Sequence, residues 1–251
     1  MTFLLRNFLI GLLLAGSFIA CTDHQFRPLA PQKVRLKITN NVNFGGVPFS
    51  TEYTYDASNR VAFFTTSIGS KGVYSYDAQN RYRLFDYYPN ASDATVAEET
   101  YFVYNTNDNN FQANTGNLIN GYFEGTRESL SYTVDANKRV LRFNNGGTSN
   151  YRGETYEYTG NNITSVDYIS GRVVEKYNYE YDDKPNPYYG LIAPDISGIR
   201  RFSRNNVTKI IRDSDKAVIA EYTYEYNAQG LPIKLKDKNG VGAVIYTYES
   251  Y

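Results

Sequence analysis

Residues 222–236 read Tyr222-Thr223-Tyr224-Glu225-Tyr226-Asn227-Ala228-Gln229-Gly230-Leu231-Pro232-Ile233-Lys234-Leu235-Lys236, and they set the architecture of the chain. Tyr222, Tyr224 and Tyr226 alternate with Thr223 and Glu225, a period of two that marks a strand with one apolar and one polar face. Beyond the turn, Leu231, Ile233 and Leu235 alternate with Lys234 and Lys236. Asn227 can cap its own backbone at the turn. Gly230 stands where a type I turn followed by a bulge needs a left-handed residue. The stretch is therefore expected to form an antiparallel hairpin with a Tyr/Leu/Ile face and a Lys/Glu/Thr face.

The same unit recurs. Tyr53-Thr54-Tyr55-Asp56-Ala57-Ser58-Asn59-Arg60 returns as Tyr74-Ser75-Tyr76-Asp77-Ala78-Gln79-Asn80-Arg81 and again as Tyr132-Thr133-Val134-Asp135-Ala136-Asn137-Lys138-Arg139. A second variant, Tyr156-Glu157-Tyr158-Thr159-Gly160-Asn161-Asn162-Ile163, is echoed by Phe202-Ser203-Arg204-Asn205-Asn206-Val207. Tyr55 and Tyr76 are 21 residues apart, Tyr226 and Tyr248 22. At that spacing, Lys33 to Tyr251 holds roughly 16 strands, and a meander of that many strands curls, splits or closes. Asn90 to Gly121 is less regular, with Asn105 to Asn110 expected as a long loop. No comparable stretch shows a 3.6 period. The expected fold is all-β: a large antiparallel meander of repeated hairpins, curled or closed into a barrel-like sheet. The charged outer face predicts a water-soluble barrel, because a charge on a lipid-facing wall costs about 2–4 kcal/mol at the midplane.

The first residues follow another logic. Arg6 is the sole charge before Cys21, and Phe8 to Ala20 is mostly apolar and uncharged. A basic start, a short apolar run and a small residue before a cleavage point describe a secretory signal. The run is too short to span a bilayer as a helix. Ser17-Phe18-Ile19-Ala20-Cys21 resembles a lipobox, with Phe18 in place of the usual leucine. Residues 1–20 are thus expected to be a lipoprotein signal peptide and Cys21 the lipid-attachment residue. Residues 21–32, with two prolines and no hydrophobic period, are the expected tether, and residues 33–251 a single all-β domain. Thr22 rather than Asp after the cysteine favours the outer membrane by analogy with known sorting rules.

Composition narrows the chemistry. Once residues 1–20 are removed, 25 basic residues face 26 acidic ones, a formal charge of −1. That gives no footprint for nucleic acid. Cys21 is the single cysteine and His24, in the tether, the single histidine. Histidine-dependent triads and His/Cys zinc sites therefore have no residues to use, and no cofactor or metal is expected. The chain carries 26 tyrosines and 14 phenylalanines. On the same face as Leu and Ile these read as core. Carboxylates such as Glu98, Glu99, Glu154, Glu180 and Glu225 fall mostly on the polar strand face. Pro185-Asn186-Pro187-Tyr188-Tyr189 is a rigid excursion from the repeat, and Tyr188 and Tyr189 are the candidate ligand-contacting residues.

Tyr-x-Tyr-Asp-x-x-Asn-Arg resembles the YD repeat of Rhs-type shell proteins. Tyr181-Asp182-Asp183-Lys184-Pro185-Asn186-Pro187-Tyr188-Tyr189-Gly190-Leu191, then Asn205-Asn206-Val207-Thr208-Lys209, then Tyr222-Thr223-Tyr224-Glu225-Tyr226, resembles a family of uncharacterised Gram-negative outer-membrane lipoproteins described as having a porin-like β fold. The resemblance covers most of the mature chain and is strongest from Tyr151 onward. It implies location and fold, and it carries no catalytic residues. The expected function is that of a non-catalytic binding or structural module of the cell envelope. Its partners would be the membrane, through the anchor, and a glycan, peptide or envelope protein. The alternative is a carboxylate-dependent glycoside hydrolase or other envelope hydrolase, which needs two carboxylates in a cleft.

Overall fold

The computed structural model describes residues 33–42, 48–119, 122–145, 152–190, 199–238, 240 and 242–251. The chain divides into a unit of Arg35–Glu249 and a unit of residues 1–34 with 250–251. Of the smaller unit only residues 33, 34, 250 and 251 are described, so the expected signal, Cys21 and His24 lie outside the described residues.

The strands are β1 (Val34–Val42), β2 (Phe49–Tyr55), β3 (Val61–Thr66), β4 (Lys71–Tyr76), β5 (Tyr82–Tyr88), β6 (Glu98–Tyr104), β7 (Asn110–Ile119), β8 (Tyr122–Phe123) and β9 (Glu128–Val134). They continue as β10 (Val140–Asn145), β11 (Arg152–Thr159), β12 (Asn162–Ser170), β13 (Val173–Pro185), β14 (Asn205–Arg212), β15 (Val218–Tyr226), β16 (Pro232–Asp237) and β17 (Ala243–Ser250). One short helix, α1 (Ile199–Phe202), precedes β14. Each strand but β8 pairs antiparallel with the next in the ring, β7 pairing directly with β9, and β17 returns to β1. The sheet is a closed barrel. Of the seventeen strands among the described residues, β8 stands outside the ring as a short return on β7, leaving sixteen in it. Among the described residues no helix is long and apolar enough to cross a membrane.

Closure follows from the repeat. One face of the strands forms a single core cluster, in which Leu36, Ile163, Val166, Val207 and Leu235 are almost free of solvent. The opposite face carries ion pairs such as Lys176–Glu157, Lys209–Glu180 and Lys236–Glu225. Closing the sheet puts the apolar face inside and removes both edges.

A recurring bulge follows the turn at Tyr55, Tyr76, Val140, Tyr158, Tyr181 and Tyr226. A bulge leaves an extra residue outside the regular ladder. The tyrosine of the next hairpin meets that need. Tyr76 donates its hydroxyl to the Val61 carbonyl at 2.8 Å, Tyr104 to Tyr82 at 2.9 Å and Tyr158 to Val140 at 2.8 Å. Tyr181 donates to Ile163 at 2.5 Å, Tyr224 to Val207 at 2.9 Å, Tyr248 to Pro232 at 2.7 Å, and Tyr55 to Leu36 at 2.5 Å. Each accepting carbonyl from Val61 to Pro232 belongs to the residue facing the bulge of the preceding hairpin. A tyrosine of the repeat thus ties one hairpin to its neighbour; it is the one before the turn Asp in Tyr55 and Tyr76, but Tyr224 rather than Tyr226 in the later unit. Burial pushes phenols such as Tyr76 and Tyr104 up to about 12.

The bulge also corrects one expectation. Tyr224 faces Leu235 and Tyr226 faces Pro232, a slip of one residue. Pro232 and Leu235 are therefore the buried residues of β16, and Ile233 is 38% exposed. The middle of the chain is more regular than expected. Asn105 to Asn110 is a tight hairpin turn in which Asn105 Oδ1 accepts the N–H groups of Asn109 and Asn110.

Sixteen strands would ordinarily enclose an aqueous lumen. Here residues 186–190 and 201–204, between β13 and β14, turn inward. Tyr188 packs edge-on to Tyr246 of β17 at 5.8 Å, and Phe202 edge-on to Tyr156 of β11 at 5.7 Å. Ser203 is fully buried, its Oγ accepting the Ile163 N–H and meeting the Tyr181 hydroxyl at 2.9 Å. Asn186 Nδ2 donates to the Ser203 carbonyl.

Candidate functional site

The repeat turns gather at one rim of the barrel and are wired to each other. In Asp77-x-x-Asn80-Arg81, Asp77 Oδ1 accepts the N–H groups of Gln79 and Arg81, both at 2.9 Å. Asn80 takes the left-handed conformation at φ 62°. Arg81 Nε donates to Asp77 Oδ2 at 2.7 Å, and its guanidinium lies 4.1 Å from the Tyr104 ring centre while also bonding Asp108 of the next turn. Arg60 repeats this with Asp56, the Tyr76 ring at 4.1 Å and Asn80 Oδ1 at 2.7 Å. Arg139 does so with Asp135, the Tyr158 ring at 4.6 Å and the Gly160 carbonyl. Burial pulls these aspartates upward, but the arginine and backbone N–H bonds outweigh it and hold Asp56, Asp77 and Asp135 below the usual carboxylate range. At the third turn Lys138 occupies the left-handed position, φ 63°, where the others have Asn.

Between these turns and Tyr189, Gly190, Arg201 and Phe202 lies a partly open cavity of about 580 Å³. Its walls are mostly aromatic and aliphatic: Tyr82, Tyr104, Phe111, Val134, Val140, Tyr158, Tyr189 and Phe202. Gln79, Asn80, Arg81, Asp108, Asn137, Lys138, Arg139, Gly190 and Arg201 complete the lining. Lys138 Nζ donates to the Asp108 carbonyl at 2.8 Å. That volume falls within the range of small-molecule sites, which combine apolar walls with a few polar groups.

Tyr189 and Tyr188 part company here. Tyr189 lines the cavity and is 43% exposed. The Tyr188 ring turns to the core against Tyr246, and its N–H is taken by Asn186 Oδ1. Most of the other lining residues come from strand ends and turns far apart in sequence.

The carboxylates divide differently from the expectation of one polar face. Glu180 and Glu225 stand on the outer face, paired with Lys209 and Lys236. Glu154 does not. It shares strand parity with Tyr156 and Tyr158, accepts the Tyr156 hydroxyl, and faces Tyr168 across β11–β12. Burial raises its carboxyl above the usual range, partly offset by that hydrogen bond. On β5, Asp86 faces Glu99, and burial followed by the Glu99 charge raises it too. Neither Glu154 nor Asp86 lines the cavity. Asp213 and Asp215 are engaged by Lys216 and Arg212. Among the described residues there is no group of three or more His, Cys, Asp or Glu able to hold a metal ion.

No family model matches the chain, and no curated protein matches it. Among solved structures it is similar to a porin-like protein from Bacteroides uniformis, with a TM-score of 0.48 at 13% identity over 88% of this chain and 99% of that one. It is also similar to a small part of the TcdB2-TccC3-Cdc42 complex, with a TM-score of 0.27 at 12% identity over 77% of this chain and 14% of that one. A third likeness is to the Photorhabdus luminescens Tc holotoxin pore, with a TM-score of 0.24 at 12% identity over 77% of this chain and 12% of that one. The barrel assignment rests on the strand pairings themselves.

Proposed function

We propose that the protein is a cell-envelope lipoprotein, anchored through Cys21, whose water-soluble barrel binds a ligand at the rim cavity and performs no chemistry on it. The observation that carries the binding reading is the composition of the cavity wall. It is aromatic and aliphatic, and Asp108 is the one carboxylate among the described residues that line it, already accepting from Arg81. Hydrolysis by paired carboxylates needs a second one some 5–10 Å away in the same cleft. The two carboxylates raised by burial, Glu154 and Asp86, are elsewhere. The outer-face ion pairs support a barrel standing in water, because a lipid-facing wall alternates the other way, with apolar groups outward.

The test has two arms. Cys21→Ser should abolish incorporation of labelled fatty acid and release the chain from membranes; continued acylation would sink the anchor. Purified protein should bind small ligands in a manner that Tyr189→Ala weakens, without turnover. Turnover that disappears on mutating a single Glu or Asp would replace binding with hydrolysis.

A further inference from the structure

Resting on the rim cavity as a binding site, we infer that its ligand is an amphiphilic anion: a small molecule with an apolar body and one acidic head. The first observation is charge. Among the described residues that line the cavity, Arg81, Lys138, Arg139 and Arg201 are cationic and Asp108 is the single carboxylate. Counting Asp77 and Asp135, which pair with the first and third arginine turns, still leaves one positive charge in surplus. Contacts with lining residues hold the cationic heads at the wall. The Arg81 and Arg139 guanidiniums lie 4.1 and 4.6 Å from the ring centres of Tyr104 and Tyr158. The Lys138 ammonium donates to the Asp108 carbonyl at 2.8 Å, and Arg81 bonds the Asp108 carboxylate.

The second observation is Lys138 itself. Arg81 and Arg139 each give Nε to an aspartate, whereas the partner of Lys138 is a neutral carbonyl. An ammonium has three donors, so two are left for an incoming oxygen. Lys138 also stands at φ 63°, the left-handed turn position that Asn59, Asn80 and Gly230 occupy in other repeats. Lysine tolerates that conformation less well than Asn or Gly, so the chain bears backbone strain to keep an ammonium there. Strained residues of this kind concentrate at ligand clamps and active sites. The third observation is the apolar part of the wall, which includes Phe111, Val134 and Val140 of the core. An inorganic anion would leave that surface wet, whereas an apolar body removes it from water. A body lying on this wall with its acidic head beside Lys138 uses both halves of the site.

The experiment is calorimetric titration of the full chain with ligands that share a body and differ in the head: octanoate, octyl phosphate, octanamide and octylammonium, then naphthoate and naphthamide. A tetraglutamate peptide is titrated in parallel. At least one acid should bind more tightly than the amide of the same body, and its affinity should fall between low and half-molar salt as the pairing is screened. The preference between octanoate and octyl phosphate then names the head. Lys138→Asn should weaken the acid by about threefold to fivefold, the order of one partly exposed ion pair, and leave the amide unchanged. The same variant relieves strain and should be the more stable, so its weaker binding is not a loss of folding. Lys216→Asn is the control: Lys216 also has a left-handed φ, 58°, but pairs with Asp213 and is not among the lining residues, and its loss should leave binding unchanged. Tyr189→Ala should weaken every ligand that binds. Amide, octylammonium or tetraglutamate binding at least as tightly as the acids, yet lost in Tyr189→Ala, would overturn the ligand class and leave the cavity as the site. So would an acid preference that Lys138→Asn does not reduce. Absence of any binding sensitive to Tyr189→Ala would overturn both.

Discussion

Removing one hydroxyl from the tyrosine stitch should cost far more than removing a surface hydroxyl. In Tyr76→Phe the ring, its packing against Tyr82 at 5.1 Å and the Arg60 stacking all remain, and the hydroxyl's bonds to the Val61 carbonyl at 2.8 Å and to Tyr82 are lost. Val61 is 3% exposed, so water reaches the abandoned carbonyl poorly. A typical hydrogen bond contributes about 0.5–1.5 kcal/mol net, and leaving a buried partner unsatisfied costs about 1–3 kcal/mol. The expected loss is therefore about 1–2.5 kcal/mol, seen in urea unfolding as a lower midpoint at unchanged slope. The matched control is Tyr177→Phe, whose hydroxyl bonds Glu175 in an exposed setting at 2.8 Å and should contribute within about 0.5 kcal/mol. Tyr76, Tyr158 and Tyr224 stand on different hairpins, so their losses should add. The triple Phe variant then loses about 3–7 kcal/mol, a large part of the 5–15 kcal/mol of an ordinary domain. A Tyr76→Phe loss no larger than that of Tyr177→Phe would refute the stitch.

Lys138 sits at φ 63°, where a non-Gly, non-Asn residue is strained; Lys138→Asn should raise stability by about 0.5–1 kcal/mol in the same urea assay. Gly72 is enclosed by Phe64 and Phe85, with a Cβ at that position meeting ring atoms at 2.4–2.6 Å; Gly72→Ala should cost about 1–3 kcal/mol through overpacking, seen as a lower thermal midpoint. Asp56, Asp77 and Asp135 are held below the usual carboxylate range in the folded state. Their contribution is thus complete above the unfolded value of about 3.9 and fades as pH falls through the lower folded value. Acid titration followed by tyrosine fluorescence should show stability dropping below about pH 4, and Asp135→Asn should flatten that drop.

The strand content was legible because the tyrosines keep strict period two on either side of turns whose chemistry is explicit. Asn59, Asn80 and Gly230 have the left-handed conformations that their positions implied, at φ 61°, 62° and 77°. Ile233 was misread because a bulge adds a residue and flips everything beyond it. Its signal was Pro232, which has no N–H to give the ladder and so fits a bulge position. Glu154 was misread although its parity with Tyr156 and Tyr158 was visible. A carboxylate among tyrosines invites assignment to the polar face, and only the inward direction of those tyrosines contradicts it. The cavity was not legible at all. Gln79, Asp108, Asn137 and Tyr189 become neighbours only because the ring closes. The arginine of the repeat was visible as a motif residue, but its reach into the following hairpin is a property of hairpin spacing.

The same rule that builds the barrel explains why the rim is where binding can occur. Along most of its height the interior is filled by inward tyrosines and phenylalanines, ring against ring, as in Phe111 stacked on Tyr132 at 4.6 Å. A filled interior leaves no room for a ligand. At the rim the strands end, and the inward supply of side chains is replaced by turns. The closure there is made by arginines bridging from one turn to the next and by Tyr189, Gly190, Arg201 and Phe202. Arginine bridges hold turns at a fixed separation without filling the space between them, because the guanidinium lies flat on a tyrosine ring instead of pointing inward. A repeat that packs completely where strands pair, and only spans where turns meet, leaves its apolar surface accessible at that end. The aromatic wall of the cavity is the last layer of the core, seen from outside.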